Sequence, residues 1–271
     1  MYFDMKIQYA SDLRLDLPEN SARVNTPGFM KPAGDVLLLA GDILHLGDPA
    51  MERNPLFDWC ADNFQETIIV PGNIEYYRNG TGKKTPCGGF PLESTLEAFE
   101  YMVRPNVRYL NNRSVILGDT EVFATTLWTI IKYPMFVYPW FVVEDCERIR
   151  YNKQRLTSYD YESVFNICAR WLYRALKAST VRHKVVLTHH CPTIMKERDG
   201  QTENQNRIVH PVYEPLLLPL LEELDIDYWI HGHWSFNWDN GTVFPSMGKG
   251  TAFLCNIFGY GDFRPDAVIS L

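Results

Sequence analysis

No Cys-x-x-Cys pair occurs in this chain of 271 residues. Its six cysteines (Cys60, Cys87, Cys146, Cys168, Cys191 and Cys255) are scattered. That spacing excludes a zinc knuckle and a disulfide framework, and it fits reduced thiols in a cytoplasmic protein. There is no excess of positive charge. Lys and Arg total 26 against 33 Asp and Glu, giving a net charge of −7 and a pI near 5.5. A general nucleic-acid-binding surface is therefore not expected. No apolar stretch is long enough to span a bilayer. The longest, residues 128 to 143, is interrupted by Lys132, Pro134 and Pro139. The start, MYFDMKIQYASDLRLD, has no apolar run behind a basic segment, so no signal peptide is expected. The Gly-Lys pair at Gly248-Lys249 lacks the leading glycine spacing of a P-loop, so nucleotide triphosphate chemistry fits poorly.

What is present is enough apolar material for a substantial core, 46% of residues with 22% charged. Short apolar runs alternate with amphipathic ones. Met5–Ala10, Val36–Ala40, Thr67–Val70, Val107–Leu110, Val115–Leu117, Val122–Thr126, Lys184–Thr188 and Asp227–Ile230 read as strands, with two more near Thr242 and across Thr251–Phe258. Leu56–Phe64, Leu92–Met102, Tyr159–Ala178 and Glu214–Leu224 have helical spacing. Apolar strands alternating with helices imply an α/β sheet covered on both faces. No repeat or linker divides the chain, so a single domain over 1–271 is the economical expectation.

The polar residues that follow the strands form an ordered set. Ser11-Asp12-Leu13-Arg14 follows the first strand and Gly41-Asp42 the second. Gly72-Asn73-Ile74-Glu75 follows the third. Thr188-His189-His190 and His231-Gly232-His233-Trp234-Ser235 close two later ones. The carboxyl ends of strands are where open α/β sheets bind ligands. Asp, Asn and His brought together there suit a Mn, Fe or Zn ion.

These motifs, DLR, GD, GNIE, THH and GHWS in that order, resemble the calcineurin-like metallophosphoesterase family, whose pattern is D-x-H, G-D, G-N-H-D/E, a strand-end His, and G-H-x-H. The resemblance implies a β-sandwich flanked by α-helices. It also implies two divalent metals that share a bridging Asp and activate a hydroxide against phosphorus. One metal would take Asp42, Asn73, His189 and His233, all present here. The other would take the D-x-H pair, the bridging Asp and the last His of G-H-x-H. Here Asp12 and Asp42 match, but Arg14 and Ser235 stand where histidines belong. Ile74 replaces the histidine that protonates the leaving group, and Glu75 is left with no side chain to orient.

Arg14 has no lone pair to offer a metal. Two residues from Asp12 on extended chain, it is expected to point the same way and stand in for the missing cation by neutralising Asp12 and Asp42. His45 could reach the rim of the site, His190 is expected to point elsewhere as a supporting residue, and His231 could share a side with His233. The implied function is phosphoester hydrolysis with one divalent ion. The alternative is an inactive relative that binds a phosphate-bearing ligand or a protein partner. Loss of the acid alone costs about 10²–10⁴ in rate. Restoring histidine at positions 14, 74 and 235 together is expected to return two-metal hydrolysis if only those changes silenced it. The aromatic segment Trp128–Val143 is core, a lid, or a surface for a homo-oligomer or protein partner. The charged run Glu144–Lys153 reads as a solvated turn, with Arg148, Arg150 and Lys153 as a less favoured phosphate approach.

Overall fold

The computed structural model describes residues 5–49, 51–78, 90–130, 143–192, 223–233, 242–243, 250–258 and 263–271. Two six-stranded sheets face each other. The first contains β1 (Lys6–Ala10), β2 (Val36–Leu39), β3 (Glu66–Ile69), β4 (Phe99–Arg104), β5 (Val107–Asn111) and β14 (Val268–Ser270), in the order β14-β1-β2-β3-β5-β4. The second contains β6 (Arg113–Leu117), β7 (Thr120–Thr125), β10 (His183–Thr188), β11 (Tyr228–Ile230), β12 (Thr242–Val243) and β13 (Ala252–Leu254), in the order β12-β13-β11-β10-β7-β6. The short pair β8 (Arg150–Tyr151) and β9 (Gln154–Arg155) stands apart. Four α-helices, α1 (Pro18–Val24), α2 (Pro55–Asn63), α3 (Val143–Arg148) and α4 (Ser158–Ala178), lie among the described residues.

Strand alternation builds the sandwich. Ile7, Tyr9, Val36, Leu38, Ile68 and Val70 of the first sheet join Val122, Ala124, Val185, Leu187, Ile230 and Leu254 of the second in one apolar layer. The intervening Leu37, Leu39 and Ile69 belong to a second cluster with Leu56, Phe57 and Cys60 of α2. Successive side chains of a strand point to opposite faces, so a run such as Val36–Leu39 is buried on both. Helix α4 packs Val164, Phe165, Cys168, Leu172 and Leu176 into that second cluster at helical spacing. Its start is fixed by a capping box: Thr157 N–H donates to the Asp160 carboxylate at 2.8 Å, and the Thr157 hydroxyl accepts from Asp160 N–H.

Strands β1, β2, β3 and β5 run parallel, as do β7, β10, β11 and β13. Parallel strands put their carboxyl ends on one edge, and here both sheets deliver their motif loops to it. Two expectations need correction. Leu92–Met102 is not a helix: Leu92–Thr95 makes a short 3-10 turn, and Phe99–Arg104 forms an edge strand antiparallel to β5. Leu92, Leu96 and Phe99 satisfy helical spacing, but Phe99, Tyr101 and Val103 also alternate, and pairing with β5 decides between the two. The run Glu144–Lys153 is not a solvated turn either, but a turn of helix followed by a β-ribbon. The helix expected at Glu214–Leu224 lies outside the described residues except for its last two positions.

Candidate metal centre

The first two motif loops run side by side. Asp12 N–H donates to the Gly41 carbonyl, Arg14 N–H to that of Asp42, and Leu15 N–H to that of Ile43, at 2.8 to 2.9 Å. Asp12, Arg14, Asp42 and His233 all hold positive φ, between 50° and 57°. Side chains resist that region, and such outliers gather where the fold holds functional groups. The motif glycines are there for space. A Cβ on Gly72 would lie 2.2 Å from Asp42 Oδ1, one on Gly41 2.5 Å from His189 Nδ1, and one on Gly232 2.7 Å from Asp12 Oδ2.

His189 is fully buried, and its Nδ1–H donates to the Ala40 carbonyl at 2.8 Å. That bond fixes the tautomer and leaves Nε2 as a bare lone pair. Around Nε2 stand Asn73 Oδ1 at 3.1 Å, His233 Nδ1 at 3.0 Å and Asp42 Oδ1 at 3.4 Å. One ligand atom each from Asp42, His189 and His233 falls within a 4.8 Å cluster. The lone pair of His189 Nε2 faces the acceptor oxygens of Asn73 and Asp42, which repel it unless a proton or a cation sits among them. The donor set, a carboxylate, an amide oxygen and two imidazoles, fits a divalent transition metal.

The electrostatics agree. Burial lowers the pKa of His189 well below its usual value, with His233 adding to the effect. Desolvation also lowers His233, so both rings are in the neutral form a metal binds. Burial raises Asp12 to about 7 despite the His233 N–H bond and the Arg14 charge. It raises Glu75 to about 7 against three backbone donors, and raises Asp42 well above the carboxylate range, reinforced by Asp12 and Glu75. Two buried carboxyls, Asp42 and Glu75, crowded with half-buried Asp12 favour a cation of higher charge than one proton.

Glu75, expected to have nothing to orient, organises backbone instead. It accepts N–H bonds from Asp42 (3.0 Å), Ile43 (2.7 Å) and Gly72 (2.8 Å). Ile74 works the same way. Its side chain is buried in the apolar cluster, its N–H donates to Asp42 Oδ1 at 3.1 Å, and its carbonyl accepts from His45 Nδ1 at 2.6 Å. His190 does not point away: its ring lies 4.3 Å from that of His233 and stacks on Trp128 at 5.4 Å. His231 is buried, its Nδ1 engaged by the Gly232 carbonyl at 3.1 Å. Arg14 forks onto Asp16, at 2.9 and 3.0 Å, a partner that sequence reading missed. Burial opposes its charge, but Asp16 and then Asp42 hold it protonated. Ser235 and residues 131–142 of the aromatic segment lie outside the described residues.

Asp145 was also missed. It sits on α3 and accepts from Asn73 Nδ2 at 2.9 Å, from the Tyr77 hydroxyl, and from the Tyr161 hydroxyl. Asn73 Nδ2 also donates to the Tyr77 oxygen at 3.1 Å, and the Arg148 guanidinium lies 4.2 Å over the Tyr77 ring. Nothing in the local pattern of a charged run tells a hydrogen-bonded, half-buried acid from a solvated one. The spacing of Tyr77, four residues after Asn73, was the available signal.

The model of the calcineurin-like phosphoesterase family matches residues 19–235, which leaves out the Asp12-Leu13-Arg14 motif. No curated protein matches the chain. Among solved structures, the phosphopantetheinyl hydrolase of Mycobacterium tuberculosis superposes with a TM-score of 0.60 at 12% identity, over 99% of this chain and 96% of that one. A 5'-nucleotidase precursor from Thermus thermophilus gives a TM-score of 0.42 at 14% identity, over 99% of this chain and 54% of its own. Among the described residues no helix is long and apolar enough to cross a membrane.

Proposed function

The chain belongs to the calcineurin-like phosphoesterase family, and from that premise we propose that it binds a phosphate-bearing small molecule or phosphoester at a centre holding one divalent metal. Asp42, Asn73, His189 and His233 would hold the ion. It would supply a polarised phosphoryl oxygen and an acidified water. The observation that carries this reading is the lone pair of His189 Nε2, fixed by the Ala40 carbonyl and faced by Asn73, Asp42 and His233 within 3.4 Å.

The other half of the family site is replaced by fixed charge. Arg14 is held by Asp16, and its guanidinium partly opposes the rise that burial imposes on the pKa of both Asp12 and Asp42. In this reading it supplies only part of the charge of a second ion, because Asp16 already offsets it. It can attract a phosphate but cannot make a hydroxide. Position 74 offers no proton, because the Ile74 side chain is packed in the core. Esters whose leaving group is a weak base should therefore be cleaved, and alkyl phosphates should not.

Elemental analysis after Mn²⁺ loading, paired with hydrolysis of an aryl and an alkyl phosphate, tests the proposal. One Mn²⁺ per chain with turnover of the aryl ester alone is expected. Two ions per chain, or equal turnover of both esters, would overturn it. One ion with no turnover of either ester would leave the inactive-relative reading, which the burial of Ile74 supports.

A further inference from the structure

Beyond the four ligands, the amide of Asn73 poses a question of its own. Its two ends are nearly the same size, and only one of them can bind a metal. The oxygen must face His189, and the nitrogen must face away. An isolated asparagine has no preference of this kind, so something must set the polarity.

We propose that Asp145 is the positioning residue that aims the Asn73 carbonyl oxygen at the metal, with Tyr77 as its helper. A carboxylate only accepts hydrogen bonds. Placed 2.9 Å from the Asn73 amide, it selects the NH₂ end and rejects the oxygen. The Tyr77 hydroxyl donates its proton to Asp145 Oδ1, so its oxygen is left to accept, which also selects the NH₂ end, at 3.1 Å. The other Asp145 oxygen takes the Tyr161 hydroxyl of α4. The carboxylate is thus held from two elements besides its own, the loop after β3 and α4. With both amide protons assigned outward, Asn73 Oδ1 lies 3.1 Å from His189 Nε2. Asp145 lies outside the three-residue cluster of ligand atoms, and its hydrogen bond to the centre runs through Asn73, while its charge also bears on His233. Helix α3, in a charged run that local pattern assigns to solvent, therefore belongs to the metal centre. The inference rests on the one-metal reading above.

Metal affinity of the protein, measured by titration with Mn²⁺, tests it. Asp145→Leu should weaken binding by about ten- to a hundredfold, the usual effect of losing a group that orients a ligand. The sharper test is a swap. Asn73→Asp supplies a ligand at least as good as the original, yet it sets carboxylate against carboxylate, so binding should weaken. Asn73→Asp with Asp145→Asn restores a donor facing an acceptor and should recover most of the wild-type affinity. A structural role for Asp145 would not produce that recovery. If Asn73→Asp alone binds Mn²⁺ as tightly as wild type, or if the two effects in the double variant simply multiply, Asp145 does not position Asn73. If the wild-type protein binds no Mn²⁺, it is the one-metal reading that fails, and the swap pair would then also show no binding.

Discussion

The Glu75 carboxylate accepts the backbone N–H of Asp42 at 3.0 Å, across 33 residues of sequence. It thereby ties the loop after β3 to the loop after β2. The same carboxylate oxygen takes Gly72 N–H at 2.8 Å, and its twin takes Ile43 N–H at 2.7 Å. A residue expected to have nothing to orient is a backbone clamp.

Glu75→Gln tests the clamp. An amide brings one oxygen and one NH₂ group to three N–H donors, so at least one buried donor loses its acceptor and meets another donor. The expected loss is about 1–3 kcal/mol of stability, seen as a lower urea midpoint at unchanged slope. An unchanged midpoint would show that the three bonds carry no net weight.

Gly72→Ala tests the space the site needs. The added Cβ would fall 2.2 Å from Asp42 Oδ1 and 2.7 Å from Asp42 N, so the carboxylate must swing away from the other ligands. Mn²⁺ affinity should fall by about tenfold or more, the scale of losing ligand geometry. Calorimetric titration beside a thermal melt separates the lost ligand from a lost fold.

The pH dependence follows from the raised carboxyls. Asp12 and Glu75 sit at about 7 in the folded protein, from ordinary values near 4, and Asp42 is also raised well above its ordinary value, all chiefly by burial. Folding without metal therefore favours their protonated forms. That contribution is fully present below the unfolded values and is lost as pH rises through about 7. Metal must displace the proton of the ligand Asp42, and its charge disfavours those of Asp12 and Glu75 beside it, so Mn²⁺ binding should tighten as pH climbs from 5 to 8 and should release protons into the buffer. Titrations in buffers of different ionisation enthalpy report the number released; a value of zero would contradict the raised carboxyls.

Ile74→His should not by itself create an acid catalyst. The side chain at 74 is 1% exposed within an apolar cluster, so an imidazole there has poor access to polar partners. The expected outcome is a loss of about 1–3 kcal/mol in denaturant unfolding, with no gain in alkyl phosphate hydrolysis. A gain in hydrolysis would mean that the ring reaches the site after all.

Much of this was open to reading from the sequence. The strands before each motif follow from apolar runs that end in polar residues, and the grouping of Asp42, Asn73, His189 and His233 was implied by the family resemblance. What escaped was decided by distant contacts. Phe99–Arg104 became a strand because β5 offered it a partner. Asp145 became part of the centre because α3 lies against Asn73, Tyr77 and Tyr161, 72, 68 and 16 residues away in sequence. Arg14 chose Asp16 over its neighbours because positive φ at Asp12 and Arg14 breaks the extended chain that the two-residue spacing assumed.

Asp42 and Asn73 are carried by loops of the first sheet, His189 and His233 by loops of the second. An ion among them would be a rivet through the open edge of the sandwich. Its removal should let both halves breathe there at once. Amide hydrogen exchange should then quicken together in residues 40–43 and 187–190, which lie far apart in the chain, and slow together when Mn²⁺ is restored.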